Sequence, residues 1–335
     1  MKTDEHPGAL TPDDIRRTAY DFQQSRVLLT AFELGLFTAL GNERKTSSEM
    51  AEEMGANPRA LDRLMNTLTG MDLLRKEDDL FGNTDASLRL LVQGQPEYMA
   101  GLMHTVNLWS TWSTLTEAVR KGTAVAHRDV NDRGADWLTS FIAAMHARAV
   151  IQAPSVIAQL DLSGVSRVLD VGGGSGAYAM AFVRAKPGIR ATVFDLPNVV
   201  SLTREYLERE GVADKVSTAA GDYNRNDLGH GYDLVYLCAI IHSNSPEENS
   251  RLIAKCARAL NPGGQVAVQD FIMDEDRTSP PHAALFALNM LVGTAAGDTY
   301  TESEVRTWME EAGLTNIVRI ETGFRTTQIV GRRSS

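Results

Sequence analysis

From about Val165 onward, short apolar runs alternate with stretches whose apolar positions recur every three or four residues. VSRVLDV, RATVFDL, VSTAAGD, YDLVYLCAII and QVAVQDF read as strands, because aliphatic and β-branched residues fill neighbouring positions between turn residues. The helical stretches between them imply strand–helix–strand crossovers, and so a parallel, doubly wound sheet. Two last strands, TNIVRIET and TTQIVGR, accompany the helix EVRTWMEEAGL, which opens with a capping box from Thr301 to Glu304. The fourth strand is expected to end in His242. Ser245 and Glu248 box the next helix, with Pro246 at its first position.

The first hundred residues carry mostly the helical period. Thr11-Pro-Asp-Asp caps a helix that is predicted to continue through TAYDFQQSRVLLTAFELGLFTAL, with Gly35 and Gly41 breaking the pattern near its end. Thr46 and Glu49 form a capping box for SSEMAEEMG, and Asn57-Pro58 opens RALDRLMNTLTGMDLL. RKEDDLFGNTDAS then reads as a hairpin with Gly82-Asn83 as its turn. Helices followed by a hairpin make a winged helix over residues 1–105. Residues 106–335 follow as a helical linker and an α/β domain. The linker, about Glu97 to Leu160, carries Tyr98, Trp109, Trp112, Trp137 and Phe141, and the loop RKGTAVAHRDVNDRGADW divides it.

Charge decides what the winged helix is for. Residues 1–105 hold 11 Lys and Arg against 17 Asp and Glu, and the whole chain of 335 residues carries −10. That sign opposes phosphate neutralisation, so neither nucleic acid nor an anionic membrane is an expected partner. Arg59 and Arg63 read as a solvated helix face. The apolar first helix points instead to a dimerisation module, and so to a homodimer. Two cysteines, Cys238 and Cys256, offer no disulfide framework, the first residues are polar, and no apolar run reaches membrane-spanning length. A cytoplasmic protein is the expectation.

The densest chemical signal is VLDVGGGSGAY, Val168 to Tyr178: a strand ending in acid, a turn with Gly172, Gly173, Gly174 and Gly176, then a helix. Glycines here permit positive φ and close approach of a ligand to the backbone. The dinucleotide fingerprint needs a third glycine where this chain has Ala177, and Asp170 before the turn would repel a pyrophosphate. An acid there suits an ammonium-bearing amino-acid moiety. D-x-G-G-G-x-G thus resembles the first motif of class I S-adenosylmethionine (SAM) methyltransferases. Ligands in such sheets sit outside the carboxyl ends of the strands. Asp195, before Leu196, ends the second strand and can accept from ribose hydroxyls. Gly221-Asp222-Tyr223 ends the third, where Asp222 can accept from an adenine amine and Tyr223 can cover the ring. His242, with an ordinary pKa near 6.5, suits a general base at the open end of the sheet.

Together VLDVGGGSG, FDLP, GDY, the ALNPGG turn at Ala259 to Gly264 and TESEV resemble, in order and over nearly the full length, the two-domain O-methyltransferases of plant caffeate and bacterial polyketide or hydroxyindole type. The resemblance implies a Rossmann-like SAM-binding sheet, a winged-helix dimerisation domain, SAM as cofactor, no metal, and SN2 transfer to a hydroxyl of a small aromatic or polyketide-type acceptor. It implies an acceptor cleft with Phe141, Met145, Phe286, Asn289, Met290 and Tyr300; His146, beside Met145 just upstream of the SAM domain, is a further candidate to face ligand. It also exposes departures. The family's His-Asp-Trp reads His242-Ser243-Asn244 here. Its two glutamates align with Asp270, which can still orient the imidazole, and with Thr299, which cannot serve as a carboxylate. A basic or polar residue that often touches SAM aligns with Cys238. Three alternatives stand beside O-methylation: methylation of carbon or nitrogen, SAM binding without methyl transfer in support of hydroxylation, and a SAM-sensing DNA-binding regulator, which the acidic first domain discourages.

Overall fold

The computed structural model of the chain describes residues 10–125 and 134–334, and divides into a unit ending at Val106 and a unit beginning at Asn107. The first unit runs α1 (Pro12–Tyr20), α2 (Phe22–Glu33), α3 (Leu36–Leu40), β1 (Lys45–Thr46), α4 (Ser47–Met54), α5 (Pro58–Gly70), β2 (Leu74–Glu77), β3 (Leu80–Asn83) and α6 (Asp85–Leu91). The three predicted helix starts are present: Thr11 is boxed with Asp14, Thr46 with Glu49, and the Asn57 side chain accepts from the Ala60 N–H. Phe37, Leu40, Met50, Met65, Leu68 and Phe81 close its core.

Two expectations about this unit need correction. The long first helix is broken already at Asp21, as well as at Gly35 where the sequence marks a break, and the Gly35 φ of +73° is a left-handed conformation that glycine adopts freely. The hairpin turns at Asp78, with φ +53°, not at Gly82-Asn83. Both of those residues lie inside β3, where Asn83 Nδ2 donates to the carbonyls of Phe37 (2.8 Å) and Gly41 (2.9 Å). The turn signal in the sequence was thus spent on tying the wing to α3. With β1 the wing is a three-stranded antiparallel sheet.

Helix α7 (Leu102–Trp112) runs across the junction, followed by α8 (Leu115–Lys121) and α9 (Ala135–Ile157). Much of the loop predicted between these halves, residues 126–133, lies outside the described residues. The sheet is built from β4 (Arg167–Val171), β5 (Arg190–Asp195), β6 (Val216–Ala220), β7 (Tyr232–Cys238) and β8 (Leu260–Asp270), alternating with α10 (Ala177–Ala185), α11 (Pro197–Arg209) and α12 (Pro246–Ala259). After β9 (Ile272–Met273), α13 (Pro281–Gly293), β10 (Tyr300–Thr301) and α14 (Glu302–Glu311), the chain closes with β11 (Leu314–Glu321) and β12 (Thr327–Arg333).

The seven strands lie in the order β11-β12-β8-β7-β4-β5-β6. Strands β4 to β8 pair in parallel, while β12 is antiparallel to both β8 and β11, so the closing hairpin departs from an all-parallel sheet. Alternate residues face opposite layers, as the strand period requires. Leu169, Val171, Val235 and Leu237 pack with Leu252, Ile253 and Trp308 of α12 and α14. Val168, Leu234 and Tyr236 pack with Val156, Phe182 and Leu207 of α9, α10 and α11. Burial on both faces explains why the strands read as nearly continuous apolar runs.

Candidate active site

Strand β4 delivers Asp170 and Val171 into the glycine turn, where Gly172, Gly174 and Gly176 take φ of +66°, +56° and +79°. A Cβ on Gly172 would sit 2.2 Å from Ile240 Cδ1, and one on Gly173 would sit 2.6 Å from the Asp170 carboxyl. At both positions the turn's own packing already excludes a side chain. Side chains from three elements hold the turn. Asp195 Oδ2 accepts from the Gly174 N–H at 2.8 Å, Thr203 Oγ1 donates to the Gly174 carbonyl at 2.6 Å, and His146 Nδ1 shares a 2.9 Å hydrogen bond with Ser175 Oγ. His146, expected to face ligand, is instead engaged with the turn and packed on Tyr206, with ring centroids 4.2 Å apart.

Two acids define the electrostatics here. Asp170 is buried beneath the turn, with Oδ2 accepting from the Ala179 N–H at 3.2 Å and Oδ1 without a hydrogen-bond partner. Burial, with the nearby Asp195 charge adding to it, pushes its carboxyl up to about 7. Burial likewise pushes Asp195 up to about 6, against the N–H groups of Gly174 and Leu196 that its oxygens accept from. At the end of β6, Gly221 donates to the Asp195 carbonyl at 2.9 Å, which ties the second and third strand ends together. Asp222 Oδ1 accepts from the Asn224 N–H at 2.8 Å, and Tyr223 OH donates to Asn244 Oδ1 at 3.3 Å. Cys238, half-buried at the end of β7, has its thiol pushed up by burial.

Strand β7 stops at Cys238, four residues short of the expected His242, because Ala239 turns the backbone into left-handed φ (+57°). His242 then lies in a 3-10 turn, Ile241–Ser243, with its Nδ1 2.7 Å from Asp270 Oδ1 at the end of β8. A carboxylate only accepts, so Nδ1 carries the proton and Nε2 keeps its lone pair. Nε2 has no hydrogen-bond partner among the described residues. Asp270 Oδ1 also accepts from the Phe271 N–H at 2.8 Å, which fixes the carboxylate's orientation. Phe286 stands edge-on to the imidazole at 4.9 Å and packs on Phe271 at 4.3 Å.

The expected acceptor-lining residues divide. Phe286 lies against His242, and Asn289 Oδ1 accepts from Trp112 Nε1–H at 2.8 Å. Met290 is buried, while Met145 and Phe141 are half-buried on α9, with Phe141 stacked on Trp137. Tyr300 is a correction. It is buried in the core against Trp308, and its hydroxyl donates to the Asn244 carbonyl, so it steadies the turn after His242. Thr299 is buried too, with Oγ1 donating to the Ala283 carbonyl at 3.4 Å. The sequence reading missed Phe271 and Thr203: the first is marked only by following Asp270, and nothing in sequence marks a threonine inside α11.

Among the described residues, no helix is long and apolar enough to cross a membrane. The model of the O-methyltransferase domain family matches residues 112–315, and that of the O-methyltransferase dimerisation domain matches residues 17–93. The chain is 33% identical over 318 residues to a 3-hydroxy-5-methyl-1-naphthoate 3-O-methyltransferase of Streptomyces sahachiroi, covering 93% of this chain and 92% of that one. It is 31% identical to the tetracenomycin polyketide synthesis 8-O-methyl transferase TcmO of Streptomyces glaucescens, covering 98% of each. Among solved structures, PigF with SAH superposes with a TM-score of 0.90 at 26% identity, covering 97% of this chain and all of that one. An O-methyltransferase family protein from Burkholderia thailandensis gives 0.88 at 26%, covering 98% and 99%.

Proposed function

The chain belongs to the O-methyltransferase family, and from that premise we propose that it transfers the methyl group of SAM to a hydroxyl of an aromatic or polyketide-type metabolite, with His242 as general base. The enzyme is a SAM-dependent O-methyltransferase; the acceptor class and the residue roles are the proposal. The bound donor supplies an electrophilic methyl carried on a sulfonium. The residues present fit that donor: Asp170 keeps an unpartnered oxygen beneath the turn, complementary to cationic charge, and Asp195 retains lone pairs for hydroxyl donors at the end of β5. Gly221, Asp222 and Tyr223 would hold the base end, with Leu196 and Cys238 bordering the site.

The observation that carries the reading is the His242–Asp270 pair, with Nδ1 committed and Nε2 open. Asp270 holds the tautomer and stabilises the imidazolium that forms when His242 removes the acceptor's proton. Phe286 and Phe271 would flank a flat acceptor and exclude water from it. The first unit supports a homodimer: α1 has no buried residue and exposes Leu10, Ile15 and Tyr20 nearby, within or beside the segment that matches the dimerisation domain.

Label from methyl-labelled SAM, offered phenols, hydroxynaphthalenes and polyketide aglycones, should arrive on oxygen. His242→Ala should keep SAM affinity and lower turnover at least about a hundredfold. Near-normal turnover in that variant would assign proton removal to another group.

A further inference from the structure

We infer that Arg148 is an anion-recognition residue of the acceptor pocket, and that the enzyme's preferred acceptors are hydroxyaryl carboxylic acids, methylated at the hydroxyl while Arg148 pairs with the carboxylate. The inference rests on the assignment of His242 to the acceptor hydroxyl.

Arg148 lies on α9, two residues beyond His146. Two residues of helix turn the chain by about 200°, so the pair project from nearly opposite sides of it. His146 engages Ser175 in the glycine turn. Arg148 instead reaches the end of β8, where its guanidinium stands over the Phe271 ring at 5.4 Å from the centroid. Phe271 packs on Phe286 at 4.3 Å, and Phe286 meets His242 edge-on at 4.9 Å. The result is an aromatic wall with an open imidazole nitrogen at one end and a guanidinium at the other. Legs of 5.4 Å and 6.4 Å through Phe271 set the most that can separate guanidinium and imidazole, so an aromatic acid of one or two rings can reach from one to the other with a hydrogen bond at each end.

What distinguishes Arg148 is that it is uncommitted. Arg277 pairs with Asp298 and Glu304, Lys255 donates to three carbonyls between Tyr223 and Asn226, and Arg225 pairs with Asp222. Arg148 makes no ion pair or hydrogen bond among the described residues; its one contact of this kind is the Phe271 ring. The ring fixes the guanidinium by cation–π attraction and leaves its five N–H donors free, which is the geometry a bidentate carboxylate takes. The strand ends beside it carry Asp170, Asp195 and Asp270, so an acidic acceptor would be repelled there without such a counter-charge. The Arg148 charge also reaches the Cys238 thiol, where it favours the thiolate against burial.

The test uses the full-length protein saturated with S-adenosylhomocysteine (SAH) and two probes, 6-hydroxy-2-naphthoate and 2-naphthol, with affinities read by calorimetry. Wild type should prefer the acid, and Arg148→Met, which keeps an apolar stem over Phe271, should lower the acid-to-naphthol affinity ratio about 10- to 100-fold, the range for a charge-assisted pair. Arg148→Lys should recover part of it. An equal loss for both probes, or a wild type that binds 2-naphthol at least as well as the acid, overturns the inference. So does a weakened SAH constant with an unchanged ratio, which would assign Arg148 to the donor's own carboxylate. Failure of wild type to bind SAH would instead sink the functional reading itself.

Discussion

His242 Nδ1 and Asp270 Oδ1 stand 2.7 Å apart, joining the turn after β7 to the end of β8. Because β7 and β8 are neighbours in parallel register, with Cys238 opposite Gln269, the pair is set by the sheet itself. Asp270→Asn should preserve this packing but leave an amide that can present its NH₂ to the imidazole and favour the wrong tautomer. Turnover should fall about 100-fold or more, with SAH affinity within about twofold of wild type. Loss of SAH binding in step with turnover would show that the aspartate shapes the donor site instead.

A second outcome follows from the acids under the glycine turn. Asp170 and Asp195, pushed up to about 7 and about 6, hold protons in the folded state that an unfolded chain, with aspartates near 3.8, has already released. Between about pH 4 and 7 the folded protein therefore binds more protons, and this contribution to stability falls as pH rises through that window. A cationic donor reverses the preference by favouring the charged carboxylates. SAM affinity should rise about tenfold from pH 5.5 to 8, with proton release on binding detectable by calorimetry in two buffers of different ionisation enthalpy. Asp170→Asn should flatten most of that slope and raise the melting temperature of the ligand-free protein at pH 8. A pH-independent affinity in the wild type would rule the linkage out.

The sheet, the caps and the glycine turn were legible because their signals are local. Thr11, Thr46, Ser245 and Thr301 each meet a partner three residues away, and β4 to β8 announce themselves by apolar runs. What was not legible depends on contacts distant in sequence. Gly82-Asn83 has the composition of a turn, but Asn83 is drawn to carbonyls more than forty residues back in the chain, and the bend falls at Asp78. Tyr300 looks like a cleft residue until Trp308 and the Asn244 carbonyl claim it. The place of His146 before the sheet suggests a residue facing ligand, and its partner in the structure, Ser175, could be identified only in three dimensions.

Thr299 stands where the resemblance would place a glutamate, and restoring the acid should not help. The residue is 1% exposed, with its hydroxyl spent on the Ala283 carbonyl at 3.4 Å. A glutamate there would bury a carboxylate beside a carbonyl oxygen, and the nearby Arg277, which donates to the Thr299 carbonyl at 3.1 Å, is already paired with Asp298 and Glu304. Thr299→Glu is expected to lower the melting temperature by several degrees and to leave kcat no higher than wild type, whereas Thr299→Val should cost less than about 1.5 kcal/mol in denaturant unfolding. A gain in kcat from the glutamate would mean that the segment around Thr299 opens toward the acceptor.

The contact between His146 and Ser175 tests whether α9 governs the donor site. Ile142, one turn before His146, reaches toward Gly174, where a Cβ would meet its Cδ1 at 3.6 Å, so the same helix face addresses two successive residues of the turn. His146 is held by the Tyr206 ring on one side and by the 2.9 Å hydrogen bond on the other, and burial lowers its pKa, which keeps it neutral at pH 7. A neutral imidazole can fix Ser175 without adding charge beside a cationic donor. His146→Ala and Ser175→Ala should each weaken SAH binding about three- to tenfold, and the double variant should be no worse than the weaker-binding single, because both remove one hydrogen bond. If the two losses multiply, the residues act separately and α9 does not set the turn. His146→Gln, which keeps a polar group able to bond to Ser175, should recover part of the loss only if the hydrogen bond, and not the stacking on Tyr206, is what positions the turn.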